Sequence, residues 1–352
     1  MSRVRCLLCA LFLVAVVVTG AVALPQEPAE IWTATPAAAG VAAPAASAVV
    51  TPVAGEAVDG DVLDVALREA GVELPPGSGV YAVRLNDGPE GLTYEAFEAG
   101  EGATYDGFWP ASSVKLLAAV GALEYLADLG FTGAARITME GRSFTVADVY
   151  DAAIAESSNE AYDRLVRIAG VDWLNAEFLT GANGFPATVI QRSYTGDGVD
   201  VSPAMTVVEG GRRVTVPARR ATGIYACPDD GNCSNLLELT ESVARVTLDA
   251  ELPEEDRFAI AEVDIAGLRD ALLESEGFVE PAVAAALGES TLVYNKPGYV
   301  PGDDCIDVAM LADDSGAARY LLAVATPEDG SLCPGLVAIA AATLAFLDGT
   351  VA

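Results

Sequence analysis

The stretch FWPASSVKLLAAVGALEYLADLG, from Phe108 to Gly130, restricts the possible folds of this chain more than any other feature. After Pro110 it contains no helix breaker except Gly121, and it is apolar on almost every face. A helix of this kind is buried on all sides. The pattern therefore predicts a central helix with other elements packed around it.

The remaining patterns predict one antiparallel sheet flanked by helices. Helices are expected at 61–70, from Thr145 onward, and at 160–168, 234–248, 263–275 and 334–347. Strands are expected at 80–85, 92–97, 291–295, 306–311 and 320–326, whereas 170–235 is expected to be irregular. Two early and three late strands, with helical material between them, predict an α+β fold: a five-stranded antiparallel sheet flanked by helices, plus an inserted helical subdomain.

The first 60 residues are expected to lie outside the folded domain. A basic start, an apolar run over 7–18 and the small residues Ala21-Val22-Ala23 predict a secretory signal peptide over 1–23. An uncleaved membrane anchor is the alternative. Residues 24–60 are rich in Ala, Pro and Val and predict a disordered linker, which leaves 61–352 as the domain.

Charge and composition exclude several functions. The net charge is -32, which repels phosphate backbones, so we expect no nucleic-acid partner. The chain has no histidine, which removes the His-based triads and zinc sites, and we expect no cofactor. Any nucleophilic serine therefore needs a different base.

The cysteines of the expected domain are four in number: Cys227, Cys233, Cys305 and Cys333. An even number in an exported chain predicts disulfides. Cys227 and Cys233 flank a short polar loop, so we expect a local bridge between them, which leaves Cys305 for Cys333. Reduced, buried thiols are the alternative.

Lys115 and Lys296 are the only lysines of the chain, and Lys115 follows Ser112 by three residues at the start of the apolar helix. This spacing places both side chains on one face. The helix N-terminus offers free N–H groups and partial positive charge, which favour an oxyanion. Burial and nearby positive charge lower the pKa of a lysine enough for it to accept a proton. The pair indicates acyl transfer, with Ser112 as nucleophile and Lys115 as base.

Two later motifs fit the same chemistry. In SSN, after the helix that starts at Thr145, Ser157 could pass a proton to a leaving nitrogen and Asn159 could hold a substrate amide. Ordinary helix capping is the alternative for SSN. In KPG, at a strand end, Lys296 could bind a substrate carboxylate and lower the pKa of Lys115.

The residue after KPG completes this set. The backbone N–H of Tyr299, which follows Gly298, could form an oxyanion hole together with the N–H of Ser112.

In this order, SSVK, SSN and KPG resemble the S-x-x-K, S-x-N and K-T-G motifs of the penicillin-recognising serine enzymes, the class A β-lactamases and penicillin-binding D,D-peptidases. The resemblance covers about residues 61–350. It implies a β-lactamase/transpeptidase-like fold in which Ser112 is acylated, Lys115 is its base and Ser157 relays protons. It also implies that Asn159 positions the substrate and that Lys296 orients the substrate carboxylate.

The chain departs from this family pattern at two functional positions. Pro297 replaces the threonine of K-T-G, which removes a hydroxyl that helps to hold the β-lactam carboxylate. In TVIQRSYTGDG, Arg192 has a counterpart in the omega loop of class A enzymes, but Tyr194 stands where those enzymes have the deacylating glutamate. Asp197 and Asp200 are the nearby candidates for a substitute.

Other side chains have alternative interpretations. An arginine group (Arg212, Arg213, Arg219 and Arg220) is expected to pair with surface acids, with an anionic substrate group as the alternative. Trp109 either lines the cleft or packs in the core.

The sequence therefore predicts an exported, β-lactamase-like serine hydrolase that opens β-lactam or related amide carbonyls. The alternatives are a cell-wall D,D-carboxypeptidase, transpeptidase or esterase with slow deacylation, and a non-catalytic peptidoglycan-binding relative. We expect a monomer in the secreted, cell-wall or periplasmic space that acts on small β-lactams or peptidoglycan peptides. Membrane attachment is expected only if the signal stays uncleaved.

Overall fold

The computed structural model describes residues 56–57, 61–88, 91–227, 231–313, 318–330 and 333–349. The expected signal peptide and the expected linker, apart from residues 56–57, lie outside these ranges. No helix within them has the length and apolar character needed to cross a membrane.

The described ranges contain helices and strands in alternating groups. The helices are α1 (Val62–Glu69), α2 (Lys115–Asp128), α3 (Val146–Ile154), α4 (Asn159–Ala169), α5 (Val171–Trp173), α6 (Leu236–Thr247), α7 (Glu262–Glu274), α8 (Glu280–Ala286) and α9 (Pro334–Leu347). The strands are β1 (Glu56–Ala57), β2 (Gly79–Gly88), β3 (Gly91–Gly100), β4 (Arg136–Met139), β5 (Arg142–Thr145), β6 (Val201–Ser202), β7 (Met205–Glu209), β8 (Arg212–Val216), β9 (Arg219–Arg220), β10 (Leu292–Tyr299), β11 (Asp304–Ala312) and β12 (Arg319–Pro327).

The main sheet has the strand order β1-β3-β2-β12-β11-β10. The five long strands are antiparallel, as predicted, because β12 pairs with β2 and so joins the late strands to the early ones. The short strand β1 adds to β3 in parallel. Strand β10 therefore lies at one edge of the sheet, where it contacts the short 3₁₀ turn Ala111–Val114 that precedes α2.

Helices cover both faces of the sheet. Helices α1, α8 and α9 pack on one face, around side chains such as Leu67, Val324 and Leu336. Helix α6 packs on the other face, and α2 lies beyond it among α3, α4 and α6. Every residue from Lys115 to Leu123 is buried, which confirms the prediction of a central helix enclosed on all sides.

The helical subdomain also contains a small sheet that the sequence patterns did not predict. Its strand order is β5-β4-β7-β8. The expectation of irregular structure throughout 170–235 is therefore wrong for β7 and β8, and also for the short elements α5, β6 and β9. These two strands form a hairpin around Gly210 and Gly211, both of which have positive φ. Such a turn favours glycine. Because the two strands are short and the glycines between them are typical of a loop, the sequence pattern indicates irregular structure there.

Two members of the arginine group, Arg212 and Arg219, bind the ends of helices. Arg212 donates to the carbonyls of Leu129 and Gly130 at the end of α2, at 2.9 Å each. Arg219 donates to Ile168 and Ala169 at the end of α4, at 2.7 Å each. Cations at helix C-termini satisfy free carbonyls and the helix dipole. The expectation that this group pairs with surface acids holds for Arg220, which bonds Asp200 at 2.6 Å, but is wrong for Arg212 and Arg219.

Both expected disulfides are present. Cys227 is bonded to Cys233, and Cys305 is bonded to Cys333. Cys305 lies opposite Tyr299 in the β10–β11 register. The second bridge therefore ties the start of α9 to the part of the sheet that is next to the predicted oxyanion hole.

Candidate active site

Ser112 lies in a tight turn of 3₁₀ helix, Ala111–Val114, that leads directly into α2. The turn is held by Ser113, whose N–H and hydroxyl both donate to Pro110 O, at 3.0 and 2.5 Å. The N–H of Ser112 has no acceptor among the described residues. Ala111 has a φ of 47°, a left-handed conformation that costs free energy in a residue other than glycine. The turn is thus held in a strained geometry that leaves a donor free beside the Ser112 hydroxyl.

Gly298 allows strand β10 to approach this turn closely. A Cβ atom at this position would lie 2.6 Å from Pro110 O and 3.3 Å from Ser113 N. Both contacts are with backbone, which cannot rotate away. Glycine is therefore required where the KPG strand meets the predicted nucleophile.

The side chain of Lys115 is fully buried. Its Nζ donates to Asn159 Oδ1 at 2.8 Å and to the backbone oxygen of Ser157. Burial first, and then the charge of Lys296, lower the pKa of Lys115 to about 7. A neutral amine has two protons and one lone pair, so these two bonds leave the lone pair available to accept a proton.

Ser157 lies between the two lysines. Its Oγ is 3.4 Å from Lys115 Nζ and 3.1 Å from Lys296 Nζ. Ser157 has a φ of 53°, whereas its neighbour Ser158 caps α4 by accepting a bond from Ala161 N at 3.3 Å. The capping interpretation of SSN therefore applies to Ser158, while Ser157 bridges two buried amines.

Lys296 is also buried, and an acidic group lies behind it. Burial lowers the pKa of Lys296 to about 8, although the charge of Asp307 opposes this shift. Burial and Glu280 in turn raise the pKa of Asp307 to about 7. Asp307 accepts bonds from the N–H groups of Phe278 and Val279, at 2.6 and 3.0 Å. The charge on Lys296 thus depends in part on a carboxyl group from the neighbouring strand.

Asp163 organises the loop that carries Tyr194. It accepts bonds from the Tyr194 N–H at 2.8 Å and from the hydroxyls of Ser193 and Thr195. The Tyr194 ring stacks on Tyr162 with a centroid separation of 4.4 Å, and its hydroxyl donates to Ala111 O. Burial raises the pKa of Tyr194 to about 12, so it is a neutral phenol at physiological pH.

The proposed acidic substitutes lie elsewhere. Asp200 is paired with Arg220, and Asp197 lines a separate cavity together with Glu160 and Arg167. Neither carboxylate lines the cavity that contains Ser112. Asp197 and Asp200 are close to Tyr194 in sequence, but they do not lie where they could activate a water molecule for deacylation.

A cavity of about 430 Å³ opens over Ser112. Asn159 and Tyr299 line it, as the sequence predicts, and so do Tyr194 and the Val300–Asp303 turn. Trp109 and Arg192 form a further part of its wall, so Trp109 lines the cleft rather than the core. Lys115, Ser157 and Lys296 do not line the cavity and are linked to it through Asn159, whose Oδ1 accepts from Lys115. Ser112, Asn159 and Tyr299 thus lie at the cavity, whereas Lys115, Ser157 and Lys296 form a hydrogen-bonded cluster next to it.

Comparison with known proteins bears on the fold. No protein-family model and no curated protein sequence matches the chain. The solved structure of PBP-A matches with a TM-score of 0.59 and 15% identity, over 84% of this chain and 98% of that chain. The extended-spectrum β-lactamase TLA-3 matches with a TM-score of 0.57 and 12% identity, over 83% and 99%. The chain has the β-lactamase/transpeptidase-like fold.

Further structures with this β-lactamase/transpeptidase-like fold agree. A class A β-lactamase from Mycobacterium abscessus has a TM-score of 0.54 and 19% identity, over 83% of this chain and 99% of that one. A PBP-A mutant in an acyl-enzyme complex with penicillin G has a TM-score of 0.56 and 15% identity, over 82% and 95%. The fold class predicted from the three motifs is confirmed.

Sequence reasoning missed three contributors to this site. Asp163 looks like an ordinary helix acid, and only the structure shows that it holds the Tyr194 loop. Asp307 lies in an apolar strand without any motif around it. The contact of Arg192 with Trp109 joins residues far apart in sequence, for which a single sequence contains no signal.

Proposed function

We propose that this protein is a serine hydrolase that β-lactams or peptide-like amides acylate on Ser112, and that it releases the acyl group slowly. One observation carries the proposal: two buried lysines share Ser157 beside a serine at a helix start. A buried amine is costly to keep unless it has a use or a full set of partners. A non-catalytic binding role gives no reason for burying both lysines of the chain.

In the acylation step, Ser112 Oγ attacks the carbonyl carbon of the substrate, and its proton moves to Lys115 Nζ. The carbonyl oxygen becomes an oxyanion next to the N–H groups of Ser112 and Tyr299, which stabilise its charge. The C–N bond then breaks, and the leaving nitrogen takes its proton from Lys115 through Ser157 Oγ. A pKa of about 7 for Lys115 matches this role, because a base works best when its pKa is near the working pH.

Substrate binding uses the remaining polar groups. Lys296 is buried and does not line the cavity, so it attracts the substrate carboxylate through its charge at a distance. Asn159 accepts from Lys115 with its Oδ1, so its Nδ2 is the group that can donate to a substrate amide carbonyl. Pro297 provides no hydroxyl to support the carboxylate, so this contact is weaker than in enzymes with K-T-G.

Tyr194 favours the alternative with slow deacylation over a fast β-lactamase. Its phenol is neutral and donates its proton to Ala111 O, so it cannot activate water as a carboxylate would. Among the described residues, Asp303 is the one acid that lines the cavity, and it is exposed. The lack of a buried acid at the cavity, among the described residues, supports a penicillin-binding D,D-carboxypeptidase, transpeptidase or esterase. Export, the monomeric state and peptidoglycan peptides as substrates stay predictions.

A time course with benzylpenicillin tests this proposal. The purified chain is mixed with the drug, and samples are analysed for intact protein mass and for hydrolysed drug. We expect an adduct of the mass of the drug that forms on most molecules and outlasts the removal of free drug. Rapid hydrolysis without an accumulating adduct would overturn slow release, and the absence of both adduct and hydrolysis would overturn acylation by β-lactams.

A further inference from the structure

Arg192 lines the cavity over Ser112 and stacks on Trp109. Its guanidinium carbon is 4.4 Å from the ring centroid of Trp109. Within the part of the chain that the structure describes, no acid or carbonyl bonds this guanidinium. Arg164 and Arg167, on the nearby helix α4, instead have acid or carbonyl partners. Among the described residues, Arg192 therefore has no hydrogen-bond partner along its edge, in a chain with a net charge of -32.

The backbone around Arg192 is firmly held. The N–H groups of Gln191 and Arg192 both donate to Asn232 Oδ1 at 2.8 Å. The Tyr162 hydroxyl donates to Arg192 O at 3.1 Å. The base of the side chain is thus fixed by residues from α4 and from the segment before α6.

Trp109 is held with similar firmness. Its backbone N–H donates to Asp304 Oδ2 at 2.9 Å. Its ring packs against the backbone of Gly231, where an added Cβ would lie 3.3 Å from the ring. The backbone that carries both side chains is therefore fixed before any ligand binds, and the ring and the guanidinium already stack on each other, which lowers the entropy cost of binding.

The geometry of a stacked arginine selects its ligand. A guanidinium whose face lies on an aromatic ring still has two parallel N–H donors along its edge. Those donors match the two oxygens of a carboxylate. A neutral amide would satisfy them less well, and a cation would be repelled.

We propose that Trp109 and Arg192 form a subsite for a second substrate carboxylate, located on the acyl part that remains attached to Ser112. This inference rests on the proposed function. Lys296 is assigned to the carboxylate of the leaving part, whereas Arg192 lines the cavity together with Asn159, which is assigned to the amide of the acyl part. The preferred substrates are therefore amides whose acyl part carries a side-chain acid.

The experiment compares two penicillins that differ in one group: benzylpenicillin, and the analogue with a carboxylate on the side-chain carbon. The second-order rate of acylation is measured for each. We expect the compound with the side-chain carboxylate to react about tenfold faster than benzylpenicillin, because a hydrogen-bonded charge pair at a partly exposed site contributes about that much. The ratio should decrease as salt is added.

Arg192→Gln should reduce this ratio to about one. Arg213→Gln is the matched control, because Arg213 is exposed, lies on β8 and does not line the cavity. It removes the same charge and should leave the ratio unchanged. A wild-type ratio of one, or an equal loss in both arginine variants, would overturn the subsite.

Equilibrium binding to the Ser112→Ala protein keeps the two proposals separate. In this protein the carboxylated penicillin should bind more tightly, and adding Arg192→Gln should remove the difference. If neither compound acylates the wild-type protein but this preference is found, the proposed function fails and the subsite stands. Equal binding of both compounds would overturn the subsite whatever the acylation result.

Discussion

Replacing Gly298 by alanine tests how the close approach of β10 sets the geometry of the Ser112 turn. The new Cβ would lie 2.6 Å from Pro110 O, whereas ordinary contact begins at 3.4 Å. The strand and the turn must therefore separate by about 0.8 Å, a displacement that costs on the order of 10²-fold in rate when it separates reacting groups. We expect a loss of that size in acylation, with destabilisation of about 1–3 kcal/mol from overpacking.

The assay is the second-order rate of acylation by benzylpenicillin, measured together with thermal unfolding. Gly181→Ala is the control, because the nearest atom to its new Cβ would be 3.8 Å away. It should keep both rate and stability near those of the wild type. A folded Gly298→Ala protein that is acylated at the wild-type rate would refute the claim that this contact positions the site.

Three further predictions concern charge and crosslinking. Acylation needs a neutral Lys115 and a charged Lys296. The value of kcat/KM should therefore rise as Lys115 loses its proton near pH 7 and fall as Lys296 loses its proton above about pH 8. A flat profile from about pH 6 to 9 would contradict these roles. Asp307→Asn removes a charge that raises the pKa of Lys296, so the falling limb should move to lower pH, and a shift to higher pH would show that the sign is wrong. Replacing the cysteines of Cys305–Cys333 by serine should cost about 3–4 kcal/mol in denaturant unfolding, against about 2 kcal/mol for Cys227–Cys233, because the closed loop is longer. Equal losses for the two pairs would contradict this loop-entropy argument.

The parts of the fold with strong local patterns could be predicted from the sequence. Helix α9 spans Pro334–Leu347, as expected, because a proline starts it and an apolar run fills it. The five long strands were found because alternation and turn residues mark them. The bounds of β10 were less accurate, since KPG reads as a strand end although pairing continues to Tyr299.

The parts that depend on long-range contacts could not be predicted. Strand β4 pairs with β7, which is about 70 residues later in the sequence. Neither strand is long enough to give a clear alternation of apolar and polar residues. The roles of Arg212 and Arg219 depend on which helix ends lie beside them. The sequence placed Tyr194 at a functional position, but its bond to Ala111 O appears only when the loop folds around Asp163.

The central claim is that Ser112 is the group that is acylated. The most direct test is the intact mass of the protein after incubation with benzylpenicillin, for the wild type, Ser112→Ala and Ser113→Ala. Ser113 is the neighbouring hydroxyl, but it is buried and donates to Pro110 O. We predict one drug adduct per chain in the wild type and in Ser113→Ala, and none in Ser112→Ala. An adduct that persists in Ser112→Ala would contradict the account.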